Sequence, residues 1–246
     1  MPEREPGARL PERTTERSDR RSFLKLAAAS AAGLLAAGCG WDGGRFGAVL
    51  SAWEGPNTAL QRLLVTGRRS REYSEGRESG RMPQYFISPR VPTVDVASWR
   101  LAVGGSVAHP VSLSLGDLMR LPRRTIRVRH YCIEGWTAVA EWTGTPLAEI
   151  AALVRPDPRA RFVEFRSFDS GYWSSWDLES ALHPQTLVAY GMDGRGLPPG
   201  HGAPARLYSN RKYGYKSVKY LTDVNFLPVN TGGYYERMGY EWYAAL

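Results

Sequence analysis

The sequence predicts a mixed α+β domain. Strand-like segments outnumber helical ones, the helices are short, and no regular βαβ alternation or internal repeat runs through the chain. Hydrophobic residues make up 43% and aromatics 11%, which excludes a disordered chain. With 246 residues there is room for one sizeable domain behind a leader, and not for two full domains.

The leader comes first. Asp19-Arg20-Arg21-Ser22-Phe23-Leu24-Lys25 has the order of a twin-arginine export signal, and an alanine-rich apolar run from Leu26 to Ala37 follows it. Twelve residues at about 1.5 Å each span roughly 18 Å, short of the ~30 Å hydrocarbon core of a bilayer, so a stable transmembrane helix is not expected. Leu35-Ala36-Ala37-Gly38-Cys39 resembles a lipoprotein cleavage site, with Ala36 where leucine is usual. Ordinary cleavage nearby and lipidation of Cys39, which would give a lipid anchor, are the two exits. The expected organisation is a leader at 1–39, a helix and linker at 40–82, and the compact domain at 83–246. The expected location is the periplasm or the outer face of the cell membrane.

Residues 51–66 read as a helix, since Leu60, Leu63 and Leu64 share helical spacing after Pro56-Asn57. Residues 67–81 turn charged and glycine-containing and read as a linker. Trp99–Val103 alternates and ends at Gly104-Gly105, a strand and turn. Ser114 to Leu121 is a short helix capped by Ser114 and stopped by Pro122. Thr125–Cys132 reads as a strand, Pro146–Leu153 as a helix, and Arg161–Phe168 as a strand. Leu178–Leu182 is a helical turn before His183-Pro184, and strands follow at Ala205–Leu207 and Ser217–Phe226.

Net charge is +8, of which the leader supplies +2. The remaining excess favours anionic ligands or an anionic surface. There are two cysteines, Cys39 and Cys132, too few for a disulfide framework. Cys132 ends a strand before the glycine-permitted turn of Ile133-Glu134-Gly135-Trp136. Its basic neighbours Arg127, Arg129 and His130 are expected to favour the thiolate. A buried, inert thiol is the alternative.

Two later segments look shaped for a ligand. Leu197-Pro198-Pro199-Gly200-His201-Gly202-Ala203-Pro204-Ala205-Arg206 is a stiff loop that holds His201 and Arg206 five residues apart. From Arg206 to Lys219 the chain carries Arg206, Arg211, Lys212, Lys216 and Lys219 with no acidic residue and with Tyr208, Tyr213 and Tyr215 between them. Such a segment suits a phosphate-bearing ligand; a solvated basic strand face is the alternative. Single-stranded nucleic acid also fits the interleaving, but export argues against a nucleic-acid partner. No Cys-x-x-Cys-His haem site, dinucleotide turn or phosphate-binding Walker loop is present, and no cluster completes a zinc site around His130 and Cys132.

Three segments in order resemble the sulfite-oxidase family of molybdenum–pterin oxidoreductases, in particular its short exported bacterial members. They are Arg129 to Trp136 with Trp142-Thr143-Gly144-Thr145-Pro146-Leu147; Leu178 to Tyr190 including His183-Pro184; and Leu197 to Lys219. The resemblance covers about Pro83 to Phe226. It implies the molybdopterin-binding fold of that family, a molybdenum–molybdopterin cofactor, and Cys132 as the protein thiolate on molybdenum. A soft thiolate suits that metal. It implies further that His201 and Arg206 contact the pterin and that Ser217, Val218 and Lys219 hold its phosphate end. Ser167 matches a position near the cofactor, and Phe86 and Ser88 match a loop at its edge. The expected reaction is oxygen-atom or two-electron transfer on a small sulfoxide- or sulfite-like molecule, with electrons exchanged through a haem-protein partner, soluble or membrane-bound.

The branches of the family point in different directions here. His201 follows the sulfite-oxidase branch, whereas Cys-Ile-Glu-Gly-Trp follows the reductase-like branch. Phe86-Ile87-Ser88-Pro89 stands where sulfite oxidases carry an arginine and a histidine, which argues against sulfite. The sequence ends at Leu246, leaving no room for the carboxy-terminal dimerisation domain of the larger oxidases. Tyr172, assigned a catalytic place, and Trp173 are the candidates for the substrate pocket. Two other classes stay open: a cysteine hydrolase pairing Cys132 with His183 or His201, and a non-catalytic surface lipoprotein that binds anions.

Overall fold

The computed structural model describes residues 43–65, 67–169 and 171–246, with side chains described from Ala52 onward. The twin-arginine segment and Cys39 lie outside the described residues. The chain divides into two compact units, Met1–Trp53 and Glu54–Leu246, and among the described residues every strand belongs to the second.

A helix, α1, spans Gly43–Val65 and contains Pro56. It runs further than the predicted 51–66 at its start, and the leucines that announce it are exposed: Leu60 54%, Leu63 80% and Leu64 50%. The residues that follow hold closer than a linker would. Tyr73 N donates to Arg127 O, and Ser79 exchanges backbone bonds with Val139, so this stretch lies along the edge of a sheet. Charge and glycine content conceal this, because backbone pairing requires no apolar pattern.

Strands β1 (Leu101–Gly105) and β2 (Val111–Leu113) precede a one-and-a-half-turn helix, α2 (Leu115–Arg120). Ser114 caps α2 as predicted: its hydroxyl accepts from Asp117 N while Asp117 reaches back to Ser114 N, a closed capping box. Next come β3 (Arg124–Tyr131), β4 (Thr137–Pro146), α3 (Leu147–Val154), β5 (Phe162–Ser167), β6 (Trp173–Asp177) and α4 (Leu178–Ala181). The chain closes with β7 (Leu187–Met192), β8 (Arg195–Gly196), β9 (Arg206–Tyr208) and β10 (Leu221–Leu227).

These strands form two sheets. One has the order β2-β1-β10-β5-β6, in which only β1 and β10 run parallel; the other has the order β3-β4-β7-β8, with β9 also on β7. Mixed orientation and short helices agree with the predicted class. The larger core lies under the first sheet, where Leu101 and Val103 of β1 and Val163 and Phe165 of β5 alternate inward at 0–1% exposure. A second core, with Ile126, Val128, Trp142, Leu187 and Tyr208, backs the other sheet.

Five strands escaped the sequence reading: the short β2 and β8, and the longer β4, β6 and β7. In β7 all six residues are buried, so its run Leu-Val-Ala-Tyr-Gly-Met has no alternation to read. β4 contains Gly144 where its register against β7 shifts; a Cβ there would sit 2.4 Å from Val188 O, so the close strand approach demands glycine. In β6, Ser174 to Asp177 are all buried despite three polar residues. The predicted strand at Ser217–Phe226 shortens to begin at Leu221, because Tyr220 turns the chain with φ +54. That turn directs residues 217–219 toward the cavity described next.

Candidate functional site

The strand β3 delivers its carboxy-terminal end to a cavity of about 180 Å³. Cys132 follows the last strand residue and opens a tight turn: Cys132 N donates to Trp136 O, Gly135 N donates to Cys132 O, and Gly135 takes φ +87. Four other chain segments, beside the carboxy-terminal tail, contribute to the walls. Phe86 comes from the amino-terminal loop, Ser167 and Tyr172 from either side of the β5–β6 turn, His201 and Arg206 from the proline-rich loop and β9, and Ser217 and Lys219 from the stretch before β10.

Arg206 is 3% exposed and no carboxylate pairs with it among the described residues. Its guanidinium instead ties the walls together, donating to His201 O at 3.0 Å and Ser217 O at 3.3 Å, with its face 5.0 Å from the Trp142 ring. Burial lowers its pKa to about 10. Lys219 Nζ donates to Tyr85 O at 2.7 Å and Gly200 O at 2.8 Å. Burial first, then the Arg206 charge, lowers Lys219 to about 7. Two cations thus face one cavity with only carbonyls as partners. An anion is the missing complement.

The orphaned atoms agree. His130 Nδ1, His201 Nδ1 and Ser217 Oγ are buried without a hydrogen-bond partner, and all three residues line the cavity. Burial, with Arg206 and Lys219 beside them, lowers His130 to about 3 and His201 to about 4, so both rings are neutral at pH 7.

The expected thiolate is corrected. Burial raises the Cys132 thiol above its ordinary value, and the Glu134 carboxylate adds to that. Its basic neighbours do not help. Arg127 is held by Glu78 and Glu141, Arg129 reaches Tyr73 and Thr137, and His130 is neutral. Sequence proximity placed these charges near the sulfur, but alternation along β3 and ion pairing take the two arginines away.

The basic run also divides. Arg211 donates to Val65 O and Ser70 Oγ. Lys212 and Lys216 are fully buried, the first bonded to Asp177 and Tyr243 O, the second to Glu236 and Ser175 O. These three face away from the cavity, which corrects their reading as phosphate ligands.

Other predicted residues fall as follows. The Tyr172 phenol lines the cavity and donates to Tyr215 O, and burial raises its pKa well above 10. Trp173, one residue on, points to the other side of β6, with its indole N–H toward Thr231 O and the Arg237 guanidinium 4.1 Å from its ring. Ser88 is not in the wall itself; its backbone N–H and hydroxyl bond to Asp169. The Val218 side chain is sealed in the larger core and its carbonyl accepts from Leu207 N. His183 lines a separate small pocket beside Arg211 and accepts from Gln185 N, so a Cys132–His183 pair is not assembled.

Sequence reading missed Asp169. Its carboxylate accepts from Ile87 N, Ser88 N and Ser88 Oγ at 2.6–2.8 Å and so fastens the amino-terminal loop against the cavity. The signal was Ser167-Phe168-Asp169, whose hydroxyl–amide bond marks a local turn. Tyr235 and Tyr240 of the carboxy-terminal tail also reach the wall. They lie beyond every strand the sequence announced, and tyrosine richness was their only sign.

Residues 88–235 match the family described as "Oxidoreductase molybdopterin binding domain". The chain belongs to this family. The match agrees with the sulfite-oxidase resemblance and its span. A putative protein-methionine-sulfoxide reductase subunit YedZ1 of Azospira oryzae is 38% identical over 159 residues, covering 65% of this chain and 60% of that protein. A protein-methionine-sulfoxide reductase catalytic subunit MsrP of Xanthomonas axonopodis is 35% identical over 157 residues, 57% of this chain and 48% of its own. The match therefore spans about half to three-fifths of the length of these curated relatives. Among solved structures, the sulfane dehydrogenase SoxCD of Paracoccus pantotrophus shares the fold, with a TM-score of 0.54 at 22% identity over 57% of this chain and 41% of that one.

As a molybdopterin-binding oxidoreductase domain, the chain offers a donor set that fits the group. One sulfur, two cations without carboxylates and three orphaned polar atoms converge on one cavity. No group of three or more metal-ligating side chains exists among the described residues, so a metal here would rest on one protein ligand and on its own cofactor.

Proposed function

We propose that the protein is an exported molybdenum–pterin oxidoreductase acting on a small sulfoxide- or sulfite-like substrate, with Cys132 as the protein ligand to molybdenum. The observation that carries this is the convergence of the Cys132 sulfur with the buried Arg206 and the half-buried Lys219, neither paired with a carboxylate, in one cavity. The bound cofactor would supply oxygen-atom and two-electron exchange, chemistry that no side chain of this site offers.

The residues then take distinct tasks. Cys132 holds the metal, which in turn would favour the thiolate that burial alone disfavours. Arg206 and Lys219 meet the anionic end of the cofactor, with Ser217 Oγ and His201 Nδ1 completing its hydrogen bonds. Phe86 and Ser88 belong to the loop that Asp169 fastens beside it, and Ser167 stands at the foot of that turn. Val218 serves through its backbone position between Ser217 and Lys219. Tyr172, with Tyr235 against its ring at 5.9 Å, forms the wall that a substrate meets and excludes water there. Relatives named as protein-methionine-sulfoxide reductases favour the sulfoxide side of the substrate pair. Electrons come from a haem-protein partner, soluble or membrane-bound. The twin-arginine order of residues 19–25 supports export after cofactor insertion, with lipidation of Cys39 and ordinary cleavage nearby as its two exits.

The test is the molybdenum content of the folded protein from a host that makes the pterin cofactor, beside a Cys132→Ser variant. About one metal per chain, with an altered metal spectrum in the variant, is expected for a single-thiolate site. Absence of molybdenum and tungsten from folded wild-type protein would overturn the assignment.

A further inference from the structure

His130 is a buried histidine that none of the roles above employs. It sits near the end of β3, two residues before Cys132, is 6% exposed, and pairs across the ladder with Ala138. Its ring is held on both sides. Trp136 stacks at 5.4 Å with an interplanar angle of 30°, and Tyr208 at 5.9 Å with an angle of 28°. Its third edge meets backbone: a Cβ on Gly214 would lie 2.7 Å from His130 Nε2, so only glycine lets the chain pass there. Three elements therefore fix a ring whose Nδ1 is buried and has no partner, in the wall that also carries Arg206 and Ser217.

A merely structural histidine would spend its polar atom on the protein, because a buried polar atom left unmade costs about 1–3 kcal/mol. Packing alone would be served as well by phenylalanine between Trp136 and Tyr208. The constraint on the ring plane is what a directed hydrogen bond needs.

We propose that His130 is a cofactor-binding residue, its Nδ1 forming a hydrogen bond to the molybdenum–pterin group held by Cys132. Gly214 is then a positioning residue that admits the ring. This rests on the proposed function, and the experiment separates the two. Wild type, His130→Phe and His130→Asn are purified from a pterin-competent host. Retained pterin is followed over time by the fluorescence of its released, oxidised form, with molybdenum measured in parallel. Phenylalanine keeps the stacking and removes the polar atom, while asparagine restores a polar atom near Nδ1. The expected result is cofactor loss about tenfold faster from His130→Phe, the fold-change of one missing buried hydrogen bond. His130→Asn should lie close to wild type.

Equal retention in His130→Phe and wild type would sink the proposal and leave the proposed function standing. Wild type without pterin would sink the proposed function itself. Should His130→Phe fail to fold, the wild-type protein answers alone. With four histidines in the chain, ¹⁵N-histidine labelling resolves the His130 ring, and its Nδ1 signal must shift between cofactor-free and loaded protein. An unchanged signal overturns the contact.

Discussion

Lys212 and Lys219 stand seven residues apart in one basic run, and they do opposite work. Lys212 is 1% exposed and turns inward to Asp177 and the carbonyl of Tyr243, with its ammonium 3.7 Å from the Tyr243 ring. Lys219 turns to the cavity and finds only two carbonyls. Lys216 sides with the first through Glu236, and Arg206 with the second. The difference lies in what each cation is given. Where a carboxylate is supplied, the charge closes the fold by tying down the carboxy-terminal segment; where none is, it awaits a ligand. A charge run in a sequence reports neither fate.

Three predictions press on that contrast. The largest effect belongs to Lys212→Met, which strands Asp177 in the interior. Unfolding in urea should show a loss of about 3 kcal/mol in cofactor-free protein, the usual cost of breaking a buried pair. A loss under 1 kcal/mol would mean that Lys212 is not structural.

Arg206→Met should behave the other way round. Cofactor-free stability should fall less than in Lys212→Met, because the variant also relieves an unpaired buried charge. Cofactor retention should drop at least tenfold, while folded Lys212→Met retains its pterin. If the two variants rank the same on both measurements, the division of the run is wrong.

The last prediction is a pH dependence. Lys219 has its pKa lowered from 10.5 to about 7 by burial. Over that interval the unfolded chain holds a proton that the folded chain has lost, so this group makes stability rise with pH from about 7 toward 10.5. Lys219→Met removes that rise. In cofactor-free protein the variant's advantage over wild type should shrink from pH 6.5 to pH 9.5, approximate settings on either side of the interval. A constant difference would show that Lys219 titrates normally.

The same contrast explains what was legible beforehand. Elements whose signals are local came through: the capping box of α2, strand β3 running up to Cys132, and α3 all stand within one or two residues of their expected bounds. β7 did not, because burial on both faces erases the period of two on which strand reading depends. In the site, Cys132, His201, Arg206, Ser217 and Lys219 were named through the family resemblance, and the structure brings all five to one cavity. Asp169 and Tyr235 were missed, since their partners lie 82 and more than 60 residues away in sequence.

The thiolate expectation shows the limit most directly. Counting nearby arginines assumed that neighbours in sequence act on the sulfur, yet Arg127 and Arg129 spend their charge on Glu78, Glu141 and Tyr73.

By itself, then, the sequence determined the α+β class, most element positions along the chain, and the residue types able to hold a metal and an anion. Those follow from local backbone preference and from side-chain chemistry, which travel with each residue. Which cations are paired, which strands are central and which polar atoms are left open were decided only by the tertiary structure. Pairing and burial depend on partners that folding brings from distant parts of the chain.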